Sequence, residues 1–327
     1  MKFVILCPLG ARTGGPEACF QLSDALLRLG FEAEMWLHEP ADIIAFQEYR
    51  LNPAPQGSFE VPVKTHGIAE YEQYRYKSFI RYSPGERVVF ILPEVYLTVI
   101  SLFLGMEVLI WWLSVDNAFK ALGSINLNLL RHPSIRHAAQ SSYAERFLRA
   151  LGLEPLKLTD YTVIPDGGTE TVALRPLRVA LNAGNKVVVN LDTISALIEA
   201  HCPGVEIVRI AGLPRKRVYE IFSTSRVFID LGNFPGKDRM AREALLLGAA
   251  IILGRAGAGA NEVDFPISTM YRPDVYAYVE IARLASHMAL HAEAHVSRFD
   301  IARRTFLDEK ENFDAEVLEV VSLYFGR

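Results

Sequence analysis

The sequence predicts an α/β protein made of two doubly wound, Rossmann-like domains facing a cleft, and three observations predict it. Residues 2–37 read as strand, glycine loop, helix and strand, and residues 227–253 repeat that order. Between and after them, short β-branched runs alternate with helical periodicity, the pattern of parallel sheets. The 327 residues suit two domains of ordinary size, and with half of them hydrophobic both cores can be large.

In the first domain, residues 2–7 form an apolar strand that runs into Pro8-Leu9-Gly10-Ala11-Arg12-Thr13-Gly14-Gly15-Pro16-Glu17. Residues 18–29 follow as an amphipathic helix ending at Gly30, and residues 31–37 as the next strand. The glycine loop thus stands at the carboxyl end of strand one, where open α/β sheets bind ligands. Its spacing is not G-x-G-x-x-G and the P-loop Lys-Ser/Thr is missing, which weakens a dinucleotide-dependent oxidoreductase. A tight βα turn with Pro16 in the first helical turn also accounts for the glycines. Residues 52–67, with Pro53, Pro55 and Pro62, read as irregular connection.

Residues 88–115 are almost continuously apolar and exceed the roughly 20 residues needed to cross a bilayer. Pro93-Glu94, Gly105 and Glu107 divide the run into a strand (87–92), a helix (95–104) and a strand (108–113), and a charge in mid-span would be costly, so a buried βαβ unit is expected. Tyr71, Tyr74, Tyr76, Phe79 and Tyr82 lie among Arg75, Lys77 and Arg81; such a stretch suits contact with lipid headgroups or a lipid-linked acceptor, and equally an amphipathic surface helix or loop. Residues 135–141 read as a strand and 142–151 as a helix capped by Ser142. Residues 152–176, with Asp166-Gly167-Gly168, hold the domain boundary. The domains are expected at 1–155 and 156–299, with a C-terminal helix in 300–327.

Strands of the second domain are expected at 177–181, 186–191, 205–210, 227–230 and 249–253, with helices at 193–201 and 215–224. Its most informative stretch starts with the strand that ends at Asp230. Gly232-Asn233-Phe234-Pro235-Gly236 cannot continue that strand and demands turn geometry. A helix then starts with Asp238 as candidate N-cap, carries Glu243 in its early turns, and closes at Gly248; residues 254–261 form a second flexible loop. This order places backbone N–H groups and a positive helix end where an anion can sit, and Lys237, Arg239 and Arg242 add mobile positive charge beside it.

Residues 235–248 resemble the nucleotide-sugar half of the GT-B glycosyltransferases, in which a Pro-Gly or similar loop leads into a helix carrying an Arg and a Glu-Ala pair. The Gly14-Gly15 step before a helix resembles the N-terminal half of the same enzymes. The resemblance implies two doubly wound domains, a C-terminal helix crossing back to the first, and a sugar passed from a nucleotide-activated donor to a hydroxyl of a glycan or similar acceptor. It further implies Gly236, Lys237 and Arg239 at the diphosphate, Glu243 at the ribose, and Gly14 and Gly15 where a Cβ would collide with sugar. Many retaining members carry paired glutamates eight positions apart; here that first position is Pro235, which leaves the stereochemical class open. The same segment also reads as an ordinary βαβ unit with a solvated basic helix start.

Such a reaction needs cations and N–H groups for the leaving diphosphate and, if inverting, a base for the acceptor hydroxyl. Lys186, after the Asn182-Ala183-Gly184-Asn185 turn, is a further cation for the donor. Asp116, following Trp111-Trp112-Leu113-Ser114-Val115 at the carboxyl end of a strand, is the candidate base, with Glu17 and Glu94 as weaker ones. Asp116 and Asn117 read equally well as caps of the next helix. His287, His291 and His295 recur every four residues; the outer pair would stand roughly 12 Å apart on one helix, so a solvated helix face is expected rather than a metal site. No cofactor is implied, the nucleotide sugar being a substrate, and GT-B enzymes usually need no metal.

The net charge of -4 argues against a nucleic-acid-coating chain, and the three cysteines, Cys7, Cys19 and Cys202, have no metal spacing and suit a reducing compartment. The N-terminus reads as a strand and glycine loop rather than as a signal peptide, so a cytoplasmic location is expected, with peripheral contact at the inner face of the membrane left open. Two rival functions share the architecture: a non-hydrolytic nucleotide-sugar epimerase and a non-catalytic glycan-binding protein.

Overall fold

The computed structural model describes residues 1–10, 13–51, 57–64, 68–165 and 171–325. The chain divides into two compact units, one formed by Met1–Asp160 and Asn312–Arg327, the other by Tyr161–Glu311. The division falls five residues beyond the expected 155/156. The C-terminal helix Asp300–Phe325 is shared, its residues to 311 belonging to the second unit and those from 312 to the first.

The first unit is built on a six-stranded sheet in the order Glu32–His38, Lys2–Pro8, Val88–Pro93, Glu107–Trp112, Ile135–Ala139, Leu156–Lys157. Every pairing is parallel. The chain starts inside the sheet, steps to one edge, and crosses back to build the other side, so the loops after Pro8 and Pro93 diverge at a topological switch point. Strand Val88–Pro93 is buried at every residue, as a strand covered on both faces must be. Trp111 and Trp112 are fully buried; their indole N–H groups donate to Leu158 O at 2.8 Å and His137 Nδ1 at 3.1 Å. The apolar run 88–115 is therefore core. Among the described residues no helix is long and apolar enough to cross a membrane.

Several local expectations are corrected. The helix expected over 95–104 is a 3₁₀ helix, Glu94–Phe103, in a segment whose Val95, Thr98, Val99 and Ile100 are β-branched and poor α-formers. The helix Ser142–Ala150 is capped not by Ser142 but by Ser141, whose Oγ accepts from Ala144 N at 3.1 Å. Of the aromatic stretch, Tyr71, Tyr74, Phe79 and Tyr82 are buried, and Tyr71 stacks on Phe20 at 4.7 Å, so these rings face the core rather than lipid. The start of the 52–67 connection (52–56) and its end (65–67) lie outside the described residues, as do Ala11-Arg12 and Asp166-Gly167-Gly168.

The end of the C-terminal helix is tied to the first unit by specific contacts. Arg28 makes a two-pronged ion pair with Asp314 at 2.6 and 2.8 Å, Thr159 donates through N and Oγ1 to Glu316, and the Tyr324 ring meets Phe3 edge-on.

The second unit has a four-stranded parallel sheet in the order Glu206–Ile210, Arg178–Asn182, Val227–Asp230, Ala250–Leu253. Its first strand is again internal, which places a second switch point between the loops after Asn182 and Asp230. Residues 186–191, expected as a strand, contribute only an isolated bridge, Val187 with Gly232; Val188 is 75% exposed, and Asn190 caps the helix Leu191–His201 by accepting from Thr193 N at 3.0 Å. Buried Arg175 closes the far end of this unit. Its guanidinium donates to Ser225 O and Leu247 O, and a Cβ on Gly248, whose φ is +87°, would lie 2.5 Å from it.

Candidate active site

In the second unit the loops at the carboxyl ends of the strands carry the charged side chains. Strand Val227–Asp230 ends in a buried acid whose Oδ1 accepts from Gly232 N at 3.0 Å, a short turn that starts the glycine loop. Burial, with Asp238 nearby, pushes the Asp230 carboxyl up to about 6. Two residues after Gly232, Phe234 adopts φ +44°, a left-handed conformation that is strained for a bulky residue. The neighbouring loop holds it there. Phe234 O accepts from Ala258 N at 2.9 Å, and a Cβ on Gly257 would lie 2.1 Å from that carbonyl, so only glycine permits the approach.

The helix Arg239–Leu246 follows. Asp238 occupies its N-cap position, yet its side chain makes no cap bond; the carboxylate instead pairs with Lys186 Nζ at 2.8 Å. Glu243 is buried and its Oε1 is the hub of the site: Arg239 Nε lies at 3.0 Å, Tyr219 Oη at 3.1 Å and Arg215 Nη2 at 3.4 Å. Arg215 also donates to the Tyr219 hydroxyl at 2.5 Å, and that hydroxyl lies 3.0 Å from Val163 O. Two guanidiniums thus converge on one carboxylate, with Lys186 held on Asp238 at the start of the same helix, an arrangement able to hold an anion and to present one oxygen-rich acceptor to a hydroxyl.

Lys237 and Arg242 are not the mobile charges expected. Lys237 is 7% and Arg242 0% exposed, and both pair with Glu309 of the C-terminal helix, Arg242 at 2.9 Å. Arg242 also donates to Lys237 O at 2.9 Å, and the Lys237 ammonium lies over the Phe306 ring. This buried network fastens the Pro235-Gly236-Lys237 turn to the helix. Gly236 is itself buried. Sequence alone assigns no role to Arg215 and Tyr219; the basic run Arg215-Lys216-Arg217 directly after Gly212-Leu213-Pro214 is the signal that marks this stretch.

In the first unit, Gly14 and Gly15 open the helix Gly14–Arg28. Neither has a positive φ; a Cβ at Gly14 would meet nothing within 4 Å, and one at Gly15 would make ordinary contacts with Leu113 at 3.8 Å and Thr13 Oγ1 at 4.0 Å. The unit's own packing therefore does not demand these two glycines. Asp116 lies in the short 3₁₀ helix Val115–Ala118 after strand Glu107–Trp112, half-buried, and accepts the Tyr143 hydroxyl at 2.7 Å. The next helix, Phe119–Leu122, starts from Ala118 without a side-chain cap bond, so Asp116 does not cap it. Burial raises the Asp116 carboxyl above its usual value, and the Tyr143 hydrogen bond opposes that shift.

The weaker base candidates are internal. Glu17 is buried and accepts from Tyr74 at 2.8 Å. Glu94 is buried, accepts from Leu113 N at 2.9 Å, and is pushed by burial up to about 7 against the pull of the Leu113, Glu94 and Ser114 amides. The folded state thus holds this proton more tightly than the unfolded chain. The group's contribution to stability is complete below its unfolded value of 4.5 and is lost as pH rises through about 7. The loss amounts to about 3 kcal/mol. Urea midpoints of wild type and Glu94→Gln at pH 5 and pH 8 check this: the difference between them should shift in the variant's favour at pH 8, and a constant difference would refute it.

The three histidines do not share a helix face. The helix Tyr278–Leu290 ends before His291, a second helix Ala292–Val296 carries His295, and the break brings His295 Nε2 to 2.9 Å from His287 Nδ1. Among the described residues no group of three or more His, Cys, Asp or Glu side chains is arranged to hold a metal ion.

No protein-family profile and no curated protein matches the sequence. Solved structures do match over the whole chain. TarM superposes with a TM-score of 0.65 at 8% identity, covering 100% of this chain and 99% of its own. HepE of Anabaena, in complex with UDP and glucose, gives 0.64 at 12% identity, covering 98% and 99%. WaaG, a glycosyltransferase involved in lipopolysaccharide biosynthesis, gives 0.55 at 12% identity, covering 99% and 100%. The parallel sheets, the two switch points and the shared C-terminal helix accord with these superpositions, and the chain has the GT-B fold.

Proposed function

We propose that the protein is a glycosyltransferase that moves a sugar from a nucleotide-activated donor to a hydroxyl of a glycan or similar acceptor. The observation that carries this reading is the convergence of Arg239, Arg215 and Tyr219 on Glu243, with Lys186 paired to Asp238 at the start of the same helix, at the switch point of a GT-B second unit. Structural neighbours have been solved with UDP-glucose or with UDP and glucose. Nothing in the comparisons supports the epimerase alternative.

In this reading Arg239, Arg215 and Lys186, with the Gly236 amide, hold the donor diphosphate, and Glu243 accepts a ribose hydroxyl. Lys237 fixes the loop through Glu309 rather than touching the donor. As the sugar–oxygen bond to the diphosphate breaks, the leaving group takes the electron pair, and the fixed guanidiniums match the charge that grows there. The acceptor oxygen bonds to the sugar carbon, and in the inverting form its proton passes to Asp116. Gly14 and Gly15 leave room for substrate at the start of the first helix, which explains glycines that packing does not require. The nucleotide sugar is the substrate, and no resident cofactor is part of this account. A cytoplasmic enzyme acting on a glycan or lipid-linked glycan, peripheral at the inner membrane face, fits the same reading.

Calorimetry tests the donor site. Arg239→Ala should weaken nucleoside diphosphate binding by about 1.5 to 3 kcal/mol, the range for a hydrogen bond to a charged group. Glu243→Gln should weaken nucleoside binding while leaving inorganic diphosphate nearly as before. Unchanged affinity in the first variant, or equal losses for both ligands in the second, would remove these residues from the proposed roles.

A further inference from the structure

The second unit carries a groove of about 880 Å³ that none of the donor-site residues lines. Met270, Val279 and Leu284 give it an apolar surface, Arg283 and Arg298 give it positive charge, and His287 adds an imidazole; Glu280 is its one acid. Neither guanidinium is in an ion pair among the described residues; Arg298 lies 3.8 Å from Met270 Sδ and beside the Tyr271 hydroxyl. Behind the groove runs a chain of hydrogen bonds: Tyr271 Oη lies 2.8 Å from His295 Nδ1, and His295 Nε2 lies 2.9 Å from His287 Nδ1. His295 is buried, and burial first, with the Arg298 guanidinium nearby, lowers its proton affinity and keeps it neutral. A neutral imidazole has one donor and one acceptor nitrogen, so the chain points one way at a time. The Arg298 guanidinium beside the Tyr271 hydroxyl turns that hydroxyl's proton toward His295. His295 then donates to His287 Nδ1, and His287 presents its Nε2–H outward.

Two guanidiniums and an imidazole N–H next to exposed Val279 and Met270 fit one ligand chemistry. We propose that this groove binds a lipid phosphate, its dianionic head on Arg283, Arg298 and His287 and its aliphatic chain along Met270, Val279 and Leu284. A phosphate suits this donor set because it offers several oxygens to forked guanidiniums. The volume exceeds what a bare anion fills and falls within the range of small-molecule sites. The site is independent of the donor site, so its test does not depend on the proposed transfer.

The probe is decyl phosphate, titrated calorimetrically into the full chain below its micelle concentration. Saturable binding is expected, weakened about tenfold or more by Arg283→Ala combined with Arg298→Ala, and similarly by Val279→Asp. All three positions are exposed, so melting temperatures should stay near wild type. Arg239→Ala should leave the titration unchanged. Three results would overturn the proposal: a double variant that binds as wild type does, loss of binding in Arg239→Ala, or inorganic phosphate or neutral decyl maltoside binding as tightly as decyl phosphate.

Discussion

Asp116→Asn is expected to lower turnover by about two to four orders of magnitude, the usual contribution of general-base catalysis, while moving the melting temperature little. The asparagine oxygen can still accept the Tyr143 hydroxyl that Asp116 accepts at 2.7 Å, so the local hydrogen bond survives the change. What is lost is proton affinity. Burial raises that affinity above that of an exposed aspartate, in the direction a base at neutral pH requires. Initial rates of nucleoside diphosphate release, with melting curves of the same preparations, make the comparison. Turnover within a few-fold of wild type would dismiss Asp116 as the base and favour a retaining mechanism that needs no protein base, since Glu17 and Glu94 are both buried.

Glu309→Gln is expected to destabilise the protein by about 3 kcal/mol, the lower end of the range for breaking a buried ion pair. The carboxylate pairs with Lys237 and with Arg242, side chains that are almost wholly out of water. A neutral amide would oppose two cations that keep their desolvation cost. Chemical denaturation of the variant measures the loss. Lys237→Met should cost less than Glu309→Gln, because it leaves Arg242 on Glu309 intact; the reverse order would mean that Lys237 has a role other than holding the loop.

The parts of this fold legible in the sequence are those whose signal is local. Strands such as Val88–Pro93 announce themselves as unbroken apolar runs because both faces are covered, and the glycine loops mark the carboxyl ends where the side chains of the site gather. What the sequence hid depends on partners far along the chain. Lys237 lies beside a loop of phosphate-binding appearance, yet its partner is 72 residues away on the C-terminal helix. Residues 186–191 have the composition of a strand, but no sheet edge receives them beyond one bridge. The four-residue spacing of the histidines implied one helix face until the break at His291 folded His295 back onto His287. Arg215 and Tyr219 belong to a separate strand–helix unit from Glu243, and only the switch point brings them together.

In the proposed reaction the second unit binds a nucleotide-activated sugar through the Arg239, Arg215 and Glu243 cluster. A thermal-shift panel of nucleoside diphosphates and their sugars, run on wild type and on Arg239→Ala, tests it most directly, because a ligand bound only by the folded state stabilises it by RT ln(1 + [L]/Kd). At least one nucleotide and its sugar should raise the melting temperature of wild type in a concentration-dependent way, and Arg239→Ala should need roughly ten- to a hundredfold more ligand for the same shift. A panel in which no nucleotide or nucleotide sugar shifts wild type, or one in which the variant responds as wild type does, would contradict it.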